Sequence, residues 1–155
     1  RGLGDVYKRQ SFPYGGAGLV MSARDYDRFL HMLADEGTLD GVRVMKPETV
    51  RLAMSNLLPA GVTFGGVDGG TGGATQGATP MGFGAGGSVY LADGPGGMPS
   101  KGTYGWGGAA GTVAFVDPVK KVRGTIMVNY FPADRWPVRQ ETVRALAADL
   151  SRFKR

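Results

Sequence analysis

Glycine constrains this chain more than any other residue: 28 of 155 positions carry it, with no every-third-residue period. A collagen-like helix is excluded on that ground alone. From Pro59 to Pro80, eight of 22 residues are glycine and Asp68 is the only charge. That stretch reads as one long loop, and loops of this length inside a compact domain are usually functional or disordered. Other glycines fall on segments of strand character, above all residues 101–131, KGTYGWGGAAGTVAFVDPVKKVRGTIMVNYF. Glycine there weakens a sheet but lets another backbone or a ligand approach closely. Taken alone, such a strand suits tight packing and substrate contact equally well.

The remaining composition narrows the function classes. Hydrophobic residues at 42% and charged residues at 20% describe a globular chain. No run approaches the ~20 apolar residues that span a bilayer. The absence of cysteine removes disulfides, thiolate nucleophiles and cysteine-held zinc. It assigns no compartment, since many exported bacterial proteins also lack cysteine. The single histidine, His31, argues against a histidine-rich metal centre or a Ser-His-Asp triad within this chain. The net charge of +5 sits at the two ends, in Arg1, Lys8 and Arg9 against Asp5 and in Arg152, Lys154 and Arg155, so residues 11–151 are neutral. Nucleic-acid binding needs basic residues clustered on the folded body, so no such partner is expected.

Residues 1–10, RGLGDVYKRQ, show no period of helix or strand and do not lead naturally into SFPYGG. Within them GDVYKRQ resembles the translated adaptor sequence found at the ends of reading frames in shotgun assemblies. It is set aside as a non-native tail, and residues 11–155 are read as the C-terminal part of a larger catalytic domain. Any signal peptide would then lie upstream.

Ser22 to Glu36 predicts an amphipathic helix. Ser22 and Asp25 approximate a capping box, Tyr26, Phe29, Leu30 and Leu33 share one face, and Gly37 closes the end. His31 lies off that face and is read as a surface residue. A turn at 38–41 leads to a second helix over 47–56, opened by Pro47 and striped by Val50, Ala53, Met54 and Leu57. Strands are expected over 82–91, 101–108, 112–117 and 122–131, with a Pro/Gly turn region at 93–100. Asp117-Pro118 starts the turn between the last two. Pro137 opens a terminal helix with Val143, Leu146, Ala147, Leu150 and Phe153 on one face. The order implies an α+β fold around an antiparallel meander.

Three motifs are read as chance. Gly82 to Gly87 matches G-x-G-x-x-G, but a glycine loop precedes it and a strand follows, the reverse of a dinucleotide site. Ser151-Arg152-Phe153-Lys154 matches S-x-x-K at the frayed end of a helix. Asp68 has no acidic partners at calcium-loop spacing. No cofactor and no metal are therefore expected.

Trp106-Gly107-Gly108, then Gly111, Phe115-Val116-Asp117-Pro118, Gly124 and Met127, resemble the C-terminal part of the serine β-lactamase-like superfamily, in its class C-like esterase branch. Residues 15–33 (GGAGLVMSARDYDRFLHML) and 39–50 (LDGVRVMKPETV) are similar to the helical segments that precede those strands. The resemblance spans nearly all of residues 14–153 and implies a β-lactamase/transpeptidase-like α+β fold, here a partial antiparallel sheet flanked by helices. It implies a serine of a Ser-x-x-Lys motif attacking an acyl carbonyl, helped by that lysine and by a Tyr-x-Asn tyrosine, with an acyl-enzyme then hydrolysed by water. Trp106, Gly107 and Gly108 stand where Lys-Thr-Gly or His-x-Gly is usual, as substrate-binding residues. Ala109 would give one backbone N–H of the oxyanion hole, and the nucleophile's own N–H the other.

The sequence departs from that pattern. Ser-x-x-Lys and Tyr-x-Asn lie N-terminal in the family and are not found here, so this chain is expected to be inactive alone. Lys101-Gly102-Thr103 holds the letters of Lys-Thr-Gly in another order and is taken as coincidence. A lysine at position 106 could pair with a substrate carboxylate, whereas an indole cannot. Small neutral esters are thus expected to suit the intact enzyme better than β-lactams. Two other readings stay open: a β-lactamase-fold binding or regulatory protein, and a self-contained glycine-rich binding module. A chain missing its N-terminal strands should leave 122–131 with an unpaired edge and aggregate or unfold; a complete module should melt sharply.

Overall fold

The computed structural model describes residues 21–62, 64, 79–108, 110–130 and 135–152. The tail 1–10 and most of the glycine loop, residues 63 and 65–78, lie outside the described residues.

Helix α1 (Ala23–Ala34) starts where the capping pattern places it: Ser22 Oγ accepts the Asp25 N–H at 3.1 Å and donates to the Asp25 carboxylate at 2.7 Å. Gly37 ends it with φ +91°, its N–H reaching the Met32 carbonyl at 2.7 Å. A Cβ at Gly37 would strike the backbone of Met45, so space as well as conformation demands glycine. The expected apolar face is rotated slightly. Leu30, Met32 and Leu33 are buried, whereas Phe29 is 44% exposed, because the sheet meets the helix nearer Met32.

The turn at 38–41 is a small hairpin, β1 (Thr38–Leu39) with β2 (Val42–Arg43). Asp40 and Gly41 both have positive φ, the pair that a two-residue hairpin turn prefers. Helix α2 (Pro47–Ala53) stops three residues short of the expected end. There the Asn56 side chain accepts the N–H groups of Leu58 and Phe83 instead, a common way for asparagine to favour a turn over helix.

The main sheet is a five-stranded antiparallel meander in chain order: β3 (Met81–Phe83), β4 (Ser88–Tyr90), β5 (Tyr104–Gly107), β6 (Val113–Asp117) and β7 (Val122–Ile126). The single strand expected over 82–91 is thus a hairpin, folded at residues 84–87 with Gly86 at φ +79° and the Gly84 N–H on the Gly87 carbonyl. The G-x-G-x-x-G stretch is this hairpin turn, with no helix after it. Strand β7 ends at Ile126, short of the expected Phe131, and pairs only with β6, at the end of the strand order.

One sheet face packs on α1 and α2 through Leu30, Met32, Leu33, Val50, Ala114 and Val116. Helix α3 (Val138–Arg152) lies by the other face. It carries no buried residue; Val143, Leu146, Ala147 and Leu150 are half-buried on one side of it, the apolar face expected of them, and Phe153 lies outside the described residues.

Candidate active site

Strand β5 carries the residues singled out by sequence. Trp106 is 39% exposed. The Phe83 ring meets it edge-on at 5.2 Å and 89°, and Phe64 lies 5.8 Å away. Phe64 and Phe83 are themselves 5.0 Å apart. Phe64 is held at the sheet end by its N–H on the Met81 carbonyl, 2.7 Å. Three distant chain segments therefore build one aromatic surface. Sequence reasoning missed Phe64 and Phe83, although each is a lone aromatic residue beside glycine, the signal that could have found them.

The glycines around Trp106 answer to their neighbours. A Cβ on Gly105 would strike the Ala114 backbone, and one on Gly107 would come within 2.6 Å of the Arg139 guanidinium. One on Gly108 would strike the Thr112 hydroxyl. Tight packing thus accounts for the missing side chains, and any role of Gly107 and Gly108 toward a substrate would run through their backbone. Ala109, the expected oxyanion donor, lies outside the described residues. The turn after β5 closes with the Gly108 N–H on the Thr112 carbonyl at 2.9 Å and the Gly111 N–H on the Gly108 carbonyl at 3.0 Å. Arg139 Nη2 reaches from α3 to both carbonyls, Gly108 at 3.2 Å and Thr112 at 3.3 Å.

At the end of β6, Asp117 is fully buried and accepts the N–H groups of Ser100 at 3.0 Å, Val119 at 3.0 Å and Lys120 at 2.9 Å. Burial alone would push its carboxyl up. The bonds from Lys120 and Ser100, with the hydroxyls of Ser100 and Thr103, outweigh burial and hold it below the usual carboxylate value. This anchors the 98–103 loop, which leads into β5, to the β6–β7 turn. Thr103 is buried beside that carboxylate while Lys101 gives its N–H to Asp93, consistent with reading Lys-Gly-Thr as coincidence. Burial, then the neighbouring Tyr26, raises the Tyr104 phenol above its ordinary value. Tyr104 stays protonated and donates to the Ala85 carbonyl at 2.5 Å, a structural bond.

Each described serine is engaged structurally. Ser22 caps α1, Ser55, Ser88 and Ser151 donate to the carbonyls of Leu52, Gly105 and Ala148, and Ser100 is buried beside Asp117. Among the described residues no group of three or more His, Asp or Glu could hold a metal ion, and no helix is long and apolar enough to cross a membrane. His31 is half-buried, 3.0 Å from Asp35 on its own helix and remote in sequence from β5.

Comparison with known proteins bears on the family and the fold. A family described as Beta-lactamase matches residues 2–149. Protein Rv1367c of Mycobacterium tuberculosis (strain ATCC 25618 / H37Rv) is 39% identical over 132 residues, 79% of this chain and 30% of that one. The protein MT1414 of strain CDC 1551 / Oshkosh matches with the same figures. This chain therefore spans about 30% of the length of the curated relatives it matches. Among solved structures, the LovD9 mutant of simvastatin synthase from Aspergillus terreus is 23% identical with a TM-score of 0.72, covering 90% of this chain and 37% of that one. EstCE1, a hydrolase with promiscuous acyltransferase activity, is 26% identical with a TM-score of 0.65, covering 90% of this chain and 33% of that one. The expected fold is found in both.

Proposed function

We propose, from the premise that this chain belongs to the beta-lactamase family, that it forms the C-terminal part of a serine enzyme that moves acyl groups, with β5 as one wall of the acyl site. The observation that carries this reading is Trp106, partly exposed on β5 against Phe83 and Phe64. An indole and two phenyl rings offer apolar surface to an acyl chain and no cation to a substrate carboxylate. The likeness to EstCE1, a hydrolase with promiscuous acyltransferase activity, supports acyl transfer as the reaction class.

In this reading a serine supplied by the rest of the protein attacks the ester carbonyl, the alcohol leaves, and water or a second alcohol releases the acyl group. The Ala109 N–H, next along the chain from Trp106-Gly107-Gly108, would meet the developing oxyanion. Losing one such donor typically costs ~10²–10³ in rate. The test compares p-nitrophenyl butyrate with a chromogenic cephalosporin on the full-length gene product. The ester should turn over faster by at least about tenfold in kcat/KM, equivalent to ~1.4 kcal/mol of transition-state preference. Equal rates would sink the preference for neutral esters, and no turnover of either would favour the non-catalytic reading.

A further inference from the structure

We propose that Arg139 is a positioning residue for the acyl site. From the first turn of α3 it clamps the β5–β6 turn and so fixes the peptide units that follow Trp106. This role rests on the reading of β5 as the oxyanion wall.

The turn between Gly107 and Val113 is five residues long, with glycine at 108 and at 111, the latter at φ +84°. Such a turn is soft, because glycine is free to adopt many conformations. Among the described residues its own bonds close its mouth and its Gly111 corner, and the Tyr130 N–H holds the Ala110 carbonyl at 3.2 Å. Arg139 adds what the turn lacks, a charged donor on the carbonyls of both Gly108 and Thr112. At 3.2 and 3.3 Å these bonds are longer than the turn's own, but they bring a charge to two carbonyls at once. A planar trans peptide holds its N–H antiparallel to its C=O. Fixing the Gly108 carbonyl therefore fixes the backbone that follows directly on Trp106-Gly107.

The glycine at 107 fits the same role. A Cβ there would come within 2.6 Å of Arg139 Nη2, so the glycine makes room for the arginine.

The experiment uses Arg139→Met and Arg139→Lys in the full-length gene product, with p-nitrophenyl butyrate as probe. Arg139→Met should lower kcat by about 10- to 100-fold, the scale of a misplaced catalytic group, and leave KM within about twofold. Arg139→Lys keeps a charge without the fork and should recover part of kcat. Backbone hydrogen exchange should speed up about tenfold at the Gly108 and Gly111 amides, as local opening replaces a held turn, and stay unchanged in the β6–β7 ladder. An unchanged kcat, a change in KM alone, or exchange that accelerates equally across the sheet would overturn the assignment. If the unmodified protein hydrolyses no ester probe, the acyl-transfer reading falls and the catalytic half of this proposal with it. Turn exchange then still decides whether Arg139 is the clamp.

Discussion

The two faces of the five-stranded sheet are held in different ways. Toward α1 and α2 the sheet offers Ala114 and Val116, and the helices answer with Leu30, Met32, Leu33 and Val50, all below a tenth exposed. Toward α3 no helix residue is buried, and a cavity of about 400 Å³ lies between, lined by Met98, Phe115, Val143 and Arg139 among others. The fixed points on this side are polar: Arg139 on the turn after β5, and Asp117 under the loop before it. An apolar core resists distortion everywhere at once, because close packing transmits strain. Polar anchors fix particular atoms. The strand carrying Trp106 thus has a rigid back and a front secured at two points, which bracket the segment proposed to face the acyl group.

The largest expected effect tests whether the faces differ as described. Leu33→Ala removes buried apolar volume from the packed face and should cost about 3 kcal/mol, within the ~2–5 kcal/mol range for such truncations. Leu146→Ala removes the same atoms from the half-buried side of α3 and should cost less than about 1 kcal/mol. Urea midpoints at equal m-value give both. Equal costs would mean that α3 contributes a second core and that the contrast is wrong.

Asp117 comes next. Asp117→Asn keeps one acceptor oxygen but loses the charge that three N–H groups point at, and should cost about 2 kcal/mol at pH 7, as for bonds to a charged group. Because the folded carboxyl is held below its ordinary value of 3.8, its contribution is complete above about pH 4 and is lost as pH falls through the lowered value. Unfolding midpoints followed from pH 7 to pH 2 should therefore fall more steeply at the acid end for the unmodified protein than for Asp117→Asn. Parallel curves would show that the buried carboxylate is not what anchors the 98–103 loop.

How much of this was legible beforehand follows from the range of the forces involved. Helix α1 could be read because its cap, stripe and terminal glycine are local, all within residues 22–37. The meander could be read because its strands are successive and rich in β-branched and aromatic residues. The hairpin at 84–87 was hidden, because its glycines leave no alternation to mark where β3 ends and β4 begins. The α3 stripe could be read as one helix face, but periodicity does not say how deeply such a face is buried, and here it is only half-buried. Of the candidate site, Trp106-Gly107-Gly108 could be found as a motif on one strand. Phe64 and Phe83 left only a faint mark, an aromatic residue beside glycine, and Arg139 left none; each joins the strand from 23 to 42 residues away in sequence, and only folding brings them together. Even the motif's glycines changed meaning: the side chain absent at 107 makes room for Arg139, a residue to which no sequence pattern pointed.

The smallest expected effect is the sharpest test of what the polar anchors are for. The packed face has an arginine anchor too, and this one is a fork. Arg123 donates through Nε and Nη2 to the Asp27 carboxylate at 2.9 and 3.0 Å, tying β7 to α1. In drawing it looks the equal of Arg139, with better geometry and a true counter-charge. Yet both partners are substantially exposed, at 32% and 42%, and pairs of that kind are worth roughly 0.2–1 kcal/mol and weaken with salt. Beside them Leu30 and Val116 already fix the helix on the sheet. Asp27→Asn should therefore shift the urea midpoint by no more than about 0.5 kcal/mol equivalent, shrinking further in 1 M salt, where the Debye length is only ~3 Å. It should leave hydrogen exchange in the 108–112 turn unchanged. If Asp27→Asn instead loosened that turn as much as loss of Arg139, the strand would be one mechanical unit, and the division between a packed back and an anchored front would have to be given up.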